Sequence, residues 1–150
     1  MIFTPPSNIS LRDNKKLSIF LAGSIEMGVA ENWQEKLCNL LSLNYNIFNP
    51  RRGDWDSSWK QEFTNPQFSQ QVNWELDALE KADLIIMYFD PTTKSPISLL
   101  ELGLYTSSKK IHVICPQGFW RKGNVDIVCN RYNIPLSESL DDFISKFELK

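Results

Sequence analysis

Two glutamates of this sequence have apolar neighbours and side chains that could do chemistry. Glu101 occurs in the segment SPISLLELGLY, and Glu75 follows Trp74 in QVNWELDALEKAD. A carboxylate near the start of a helix is kept ionised by the helix dipole, which suits a nucleophile that attacks an electrophilic sugar carbon. Partial burial raises the pKa of a carboxyl group and lets it donate a proton. Glu101 is therefore a candidate nucleophile, and Glu75 is a candidate acid.

Each glutamate also has a structural explanation. Ser98 could cap a helix while Glu101 reaches back to a free amide, as in a capping box. Glu75 could belong to a solvated helix face, as we expect for Glu80 and Lys81. The spacing of the residues leaves these alternatives open.

A long polar segment from Arg51 to Gln67 is a candidate binding loop, because loops of this length are unusual in compact domains and are often functional. Trp55 and Trp59 could stack on a planar base while Asp54 and Asp56 bind its edge; alternatively, the aromatic rings close over the core. The two arginines that open the segment could bind an acidic ligand or pair with these aspartates.

Composition excludes several classes of protein. The chain has 150 residues, 42% of them apolar, which indicates one domain with an ordinary core. A net charge of -2 argues against binding of a nucleic acid polymer. With His112 as the one histidine and three scattered cysteines, Cys38, Cys115 and Cys129, we expect neither a multi-histidine metal site nor a disulfide framework. No apolar run approaches the ~18–20 residues of a membrane span, so we expect a cytoplasmic protein.

Strand-like and helix-like segments alternate along the chain. Apolar runs predict strands at LSIFLAG, NIF, LIIMYF and IHVIC. Ser95 and Pro96 resemble an N-cap followed by proline at the first helical position. Helices are predicted at about 29–42, with Trp33, Leu37, Leu40 and Leu41 on one face; at 66–81, with Phe68, Val72, Leu76 and Leu79 on one face; and at 96–108, 125–131 and 139–147. This order predicts a parallel sheet with helices on both faces, in one domain at 17–150 after an extension at 1–16.

The carboxyl ends of parallel strands are where ligands bind in such folds. We therefore expect the segments that follow the strands, at 22–28, 49–59, 90–101 and 116–124, to converge. The first of them, GSIEMG, is neither a P-loop nor a GxGxxG motif, and Glu26 would repel a phosphate there. The polar residues that these segments contribute are Ser24, Glu26, Asp54, Asp56, Asp90, Glu101 and Asn124.

Five strings in order and spacing resemble the nucleoside 2-deoxyribosyltransferase family over Leu17 to Asn130. They are LAGSIEMG, NPRRGDWD, QVNWELDALEKADLIIMYFDP, SPISLLELGLY and GFWRKGNVDIVC. The resemblance implies a flavodoxin-like doubly wound parallel sheet of about five strands, a role in nucleotide salvage, and exchange of the base of a 2′-deoxynucleoside through a covalent deoxyribosyl-enzyme. It further implies a homo-oligomer with shared active sites, deoxynucleosides and free bases as partners, and no metal or organic cofactor.

The resemblance also assigns roles to particular residues. Glu101, 18 residues after Asp83, resembles the family's nucleophile, and Glu75 falls where the family has an aspartate near the leaving base. Ser95 replaces an aspartate that holds the sugar in some members, so Asp90 is expected to take that task.

Two further positions match family sites. Phe20 or Ile19 stands where some members place a tyrosine against the nucleophile, and the hydroxyl is missing here. Asn124 resembles the asparagine that is lent to a neighbouring subunit. Glu75, Asp54 and Asp56 all stay open as the acid that protonates the leaving base. Two alternative functions are hydrolysis of 2′-deoxynucleoside 5′-monophosphates and non-catalytic nucleoside sensing.

Overall fold

The computed structural model describes residues 1–26 and 30–148. Positions 27–29, where the first predicted helix begins and the first predicted loop ends, lie outside the described residues. Strands and helices alternate in the described part of the chain: β1 (Ile2–Phe3), β2 (Ser18–Gly23), α1 (Trp33–Leu41), β3 (Asn46–Phe48), α2 (Pro66–Lys81), β4 (Leu84–Tyr88), α3 (Pro96–Tyr105), β5 (Ile111–Ile114), α4 (Lys122–Tyr132), β6 (Leu136–Ser137) and α5 (Leu140–Glu148).

The strands form a six-stranded parallel sheet in the order β1-β3-β2-β4-β5-β6. Without β1 this order reads 2-1-3-4-5, which is the flavodoxin-like order. The predicted parallel α/β fold is therefore confirmed, with six strands instead of about five. The strand that sequence reasoning did not find within residues 1–16 is β1, which pairs Ile2 with Ile47 and Phe3 with Phe48.

Apolar strands supply the centre of the sheet. In β4, Ile85, Ile86 and Met87 have no solvent exposure, which confirms the prediction of a strand covered on both faces. At the edge, the ring of Phe3 packs edge-on against Phe48 with ring centroids 5.8 Å apart. Burial of these side chains provides the main stabilisation of the sheet.

The buried faces of two helices differ from the predicted stripes. In α1, Trp33, Leu37 and Leu41 are buried as predicted, whereas Leu40 is 37% exposed. In α2, the bounds Pro66–Lys81 agree with the prediction, but Leu76 is exposed. The α2 residues that are buried are Gln71, Trp74, Ala78 and Leu79.

Hydrogen bonds explain this shift of the α2 face. The Trp74 indole N–H donates to the carbonyl oxygen of Ser7 at 2.8 Å, and the Gln71 amide donates to the carbonyl oxygen of Pro50 at 3.1 Å. Both side chains have a polar tip that is satisfied inside the fold, so burying them leaves no lost hydrogen bond.

The residues group into two compact units. Unit 1 comprises Met1–Leu21 and Asn32–Leu84, and unit 2 comprises Ala22–Glu31 and Ile85–Lys150. In unit 1, the side chain of Asn65 caps α2 by accepting the N–H of Phe68 at 2.9 Å, next to Pro66 at the first helical position.

The three cysteines and the histidine make contacts within the fold. All three cysteines are free and buried, and burial raises the pKa of Cys38 to about 11, of Cys115 to about 12 and of Cys129 to about 11. His112 lies in β5 against the ring of Phe143, with its Nε2 3.0 Å from Ser137 Oγ. Among the described helices, none is both long and apolar enough to span a membrane.

Candidate active site

A glycine allows the end of β2 in unit 2 to approach the neighbouring backbone closely. Gly23 has a φ of +130°, and a Cβ at this position would lie 2.2 Å from the carbonyl oxygen of Tyr88. The next residue continues the contact, since the Ser24 N–H donates to the same oxygen at 2.9 Å. Only glycine tolerates both the dihedral angle and the approach, so the position of Ser24 depends on it.

Ser24, Thr93 and Ser95 form a buried hydroxyl cluster, with exposed fractions of 1–3%. Thr93 Oγ1 lies 2.9 Å from Ser24 Oγ and 2.8 Å from Ser95 Oγ, and the two serine hydroxyls also bond to each other. The N–H of Asp90 donates to Ser24 Oγ at 2.9 Å. These bonds hold the segment between β4 and α3 in place, and substrate binding by Ser24 and Ser95 stays a prediction.

Asp90 lies two residues after the end of β4 and is 5% exposed. Its Oδ1 accepts the backbone N–H of Thr92 at 2.8 Å and the hydroxyl of Thr92 at 2.6 Å. Its Oδ2 accepts the N–H of Glu31 at 3.2 Å. These three donors fix the carboxylate in one orientation near the end of a strand, and sugar binding by Asp90 stays a prediction.

Helix α3 begins at Pro96, after the N-cap residue Ser95. Ser95 has a φ of 49° and makes no side-chain cap bond. Instead, the carboxylate of Glu26 accepts the N–H of Lys94 at 2.7 Å and that of Ser95 at 2.5 Å. The N-cap prediction at Ser95 is confirmed, and a side chain from the first loop satisfies the donors next to it.

Glu101 lies inside α3, in its second turn, and is 8% exposed. The capping-box alternative is wrong, because Ser98 is inside the helix and the cap is at Ser95. Glu101 is therefore a buried residue within the helix, and helix capping does not account for it.

In unit 1, Arg52 pairs with the exposed Asp54. Its Nε donates to Asp54 Oδ1 at 2.7 Å and its Nη2 donates to Asp54 Oδ2 at 2.8 Å. The guanidinium also lies over the ring of Trp59, with Cζ 5.1 Å from the ring centroid. Of the two alternatives for Arg52, pairing with an aspartate is the one observed, and this pairing lowers the pKa of Asp54.

Trp55, Asp56 and Trp59 complete the loop between β3 and α2. The two indole rings meet edge-on, with centroids 5.1 Å apart. Asp56 Oδ1 accepts the N–H of Ser58 at 2.8 Å, and the bonds to Ser58 lower the pKa of Asp56. In the described part of the chain, the indole nitrogen of Trp55 is one of the buried side-chain atoms without a hydrogen-bond partner.

Glu75 differs from both aspartates. Although the residue keeps some exposure, its carboxyl group is deep enough that burial raises its pKa to about 7. The amide of Gln71 donates to Glu75 Oε1 at 2.6 Å, which works in the opposite direction and lowers the pKa. Sequence reasoning missed Gln71, although its position four residues before Glu75 on one helix was a usable signal.

The other candidate residues lie in different surroundings. Phe20 is 1% exposed within β2, in the core of unit 1. Asn124 is exposed on α4 in unit 2. Trp120, which the sequence did not single out, is 49% exposed and lies under Arg121, whose Cζ is 4.3 Å from the centroid of the Trp120 ring.

No candidate metal site occurs within residues 1–26 and 30–148, because no group of three or more His, Cys, Asp or Glu side chains is placed to hold an ion. Unit 1 has an open cavity of about 370 Å³ lined by polar side chains, among them Asn32, Asn39, Asn49, Arg51 and Arg52. Neither Glu75 nor Glu101 lines this cavity. Convergence of all four strand-end segments in one site stays a prediction.

The strand order of the parallel sheet defines an α/β protein of the flavodoxin-like class. A family model described as nucleoside 2-deoxyribosyltransferase like matches residues 16–119, and the chain belongs to this family. The match includes Glu75 and Glu101 and ends before Asn124. A search of curated proteins gives no significant match.

Proposed function

We propose that this protein transfers the 2-deoxyribosyl group between nucleobases on 2′-deoxynucleosides, with Glu101 as nucleophile. The observation that carries the proposal is the burial of the Glu101 carboxyl group in the second turn of α3, where it is not a cap. A carboxylate with little contact to bulk water is a stronger nucleophile. Exclusion of water from the site also protects the sugar ester from hydrolysis.

The reaction has two steps. A Glu101 oxygen bonds to C1′ while the glycosidic bond breaks, and the electron pair of that bond leaves with the base, which takes up a proton. A second base then attacks C1′ from the vacated side and releases the Glu101 carboxylate, and the N–H proton that this base loses returns to the acid that protonated the first base. Two inversions retain the configuration, as in retaining glycosidases.

Glu75 is the acid that the electrostatics favour for the leaving base. Its pKa of about 7 gives it a proton near neutral pH, whereas hydrogen bonds lower the pKa of Asp54 and of Asp56 and keep both ionised. General acids work best with a pKa near the working pH. Of the three acids that the sequence leaves open, Glu75 is therefore our choice.

We assign substrate contacts to the remaining polar groups. The fixed carboxylate of Asp90 binds a sugar hydroxyl in place of the aspartate that Ser95 replaces. The indole N–H of Trp55, which has no acceptor among the described residues, donates to a carbonyl oxygen of the base. The first contact uses a carboxylate that the fold already holds in one orientation, and the second gives the Trp55 N–H an acceptor. Binding sites commonly use polar groups of both kinds.

Hydrolysis of deoxynucleoside 5′-monophosphates has less support. Two backbone N–H groups before α3 could bind a phosphate, but both already donate to Glu26. A phosphate would have to displace this carboxylate and would be repelled by it.

We further propose a cytoplasmic homo-oligomer. The outer face of α3 carries Ile97, Leu100 and Leu104, each about 60% exposed, and α3 carries no charge except the buried Glu101. A second copy can cover such a face without like-charge repulsion. The exposed Asn124 is then free to reach a neighbouring subunit, and the buried free thiols suit a reducing compartment.

Incubation with thymidine or deoxyinosine plus a different free base tests the function. Formation of a new deoxynucleoside supports transfer. Free deoxyribose without a new nucleoside identifies a hydrolase, and binding without products identifies a sensor; either result overturns the proposal.

A further inference from the structure

Four side chains of unit 1 form a continuous hydrogen-bonded chain from the surface to Glu75. The Asp54 carboxylate accepts one hydrogen bond from Arg52 Nε and one from Arg52 Nη2. Arg52 Nη1 donates to Gln71 Oε1 at 3.4 Å, and Gln71 Nε2 donates to Glu75 Oε1 at 2.6 Å. Asp54 has 72% of its side chain exposed, Arg52 only 8%, and Gln71 is 5% exposed. The chain therefore runs inward from the binding loop to the proposed acid.

The donors and acceptors around Gln71 allow one orientation of its amide. The guanidinium of Arg52 can only donate, and the carbonyl oxygen of Pro50, 3.1 Å from Gln71 Nε2, can only accept. If the amide were rotated by half a turn, its N–H groups would face the donors of Arg52, and its oxygen would face the acceptor oxygens of Pro50 and Glu75. These neighbours exclude the rotated orientation. The Nε2 group is thereby directed at Glu75.

This orientation determines which oxygen of Glu75 can carry a proton. Glu75 Oε1 accepts a short bond from an N–H, so a proton on the same oxygen would compete with that bond for its lone pairs. The other oxygen, Oε2, makes no bond to Gln71.

We propose that Gln71 is a positioning residue for the acid, which holds the Glu75 carboxyl in one orientation with its proton on Oε2, and that the pair of Arg52 and Asp54 keeps Gln71 in place. This inference rests on the proposed function for one point only, namely that the Glu75 proton is transferred to the leaving base. The geometry itself is independent of it. Among the described residues, burial raises the Glu75 pKa and the hydrogen bond from Gln71 lowers it. Arg52 and Asp54 are the charged residues of the hydrogen-bonded chain that leads to Glu75.

A measurement on the unmodified protein tests the geometry without any turnover. The side-chain amide resonances of Gln71 in ¹⁵N NMR should move with a midpoint near pH 7, as Glu75 ionises. The amide of Gln70, which is exposed on the same helix, is the matched control and should not follow that midpoint. If the Gln71 amide does not titrate, the inference is wrong even if the enzyme transfers deoxyribose.

Substitution of Gln71→Met keeps an unbranched side chain of similar length and removes the N–H. Because a hydrogen bond to the ionised form is lost, the Glu75 titration observed by ¹³C NMR should move up by roughly one pH unit. The kcat for poor leaving bases should fall about 10-fold with little change in KM, and Gln70→Met should change neither.

A double-mutant cycle separates positioning from a general structural effect. In a Glu75→Gln background, Gln71→Met should cost almost no further activity, because the group it positions is gone. An equal loss of kcat in both backgrounds, or an unchanged Glu75 titration in folded Gln71→Met, would overturn the inference.

Discussion

Replacement of Glu75 by glutamine should make the protein more stable at alkaline pH. Burial raises the Glu75 pKa from its ordinary value of 4.5 to about 7, and each pH unit of difference between the folded and unfolded states corresponds to about 1.4 kcal/mol. The ionised carboxylate therefore costs the folded state up to about 3 kcal/mol. Glutamine removes this cost, while its side-chain oxygen can still accept the bond from Gln71.

The sign of the pH dependence follows from the raised pKa. Below pH 4.5 the carboxyl group is protonated in both states, so Glu75→Gln and the unmodified protein should have similar stability. Between pH 4.5 and about 7 the folded state holds a proton that the unfolded state has lost, so the unmodified protein loses stability as the pH rises. Above pH 7 the difference should stay constant.

Urea unfolding followed by tryptophan fluorescence between pH 4.5 and 8.5 measures this difference directly. Asp77→Asn, which removes an exposed carboxylate from the same helix, is the control and should show no such gain. Equal pH dependence of Glu75→Gln and the unmodified protein would refute the reasoning that Glu75 is a buried acid.

Two further predictions concern the turn after β2 and the cysteines. Gly23→Ala should lower the free energy of unfolding by at least about 2 kcal/mol, since its Cβ would lie 2.2 Å from the Tyr88 carbonyl oxygen. The control Gly53→Ala has no atom within 4 Å of its Cβ and should leave the free energy of unfolding nearly unchanged. Equal unfolding midpoints for the two variants would contradict the close approach at Gly23. The three buried thiols have raised pKa values, so a disulfide reagent at pH 8 should label them only after denaturation; rapid labelling of the native protein would show that one is accessible.

The elements with strong local signals could be predicted from the sequence. The apolar run of β4 and the Asn65-Pro66 start of α2 each carry a signal within a few residues. Strands β1 and β6 have two residues each, too few for a periodic pattern, and they form by pairing with partners distant in sequence.

The site was harder to predict because its properties are tertiary. Glu101 and Glu75 stood out by type and surroundings, but the shifted pKa of Glu75 comes from burial that only the fold creates. The exposed side of α2 was misjudged because Gln71 and Trp74 are buried with satisfied polar tips, which no apolar stripe reveals. Glu101 lies in the second turn of α3 because the helix begins at Pro96, and its burial there depends on the packing of that helix in the fold.

The nucleophile can be identified by trapping the enzyme with a 2-fluorinated deoxynucleoside analogue that slows breakdown of the sugar ester. Peptide mass spectrometry of the trapped protein should find the fluorosugar on the peptide that contains Glu101, and Glu101→Gln should give no adduct. An adduct on another peptide, or continued base exchange by Glu101→Gln, would contradict the assignment.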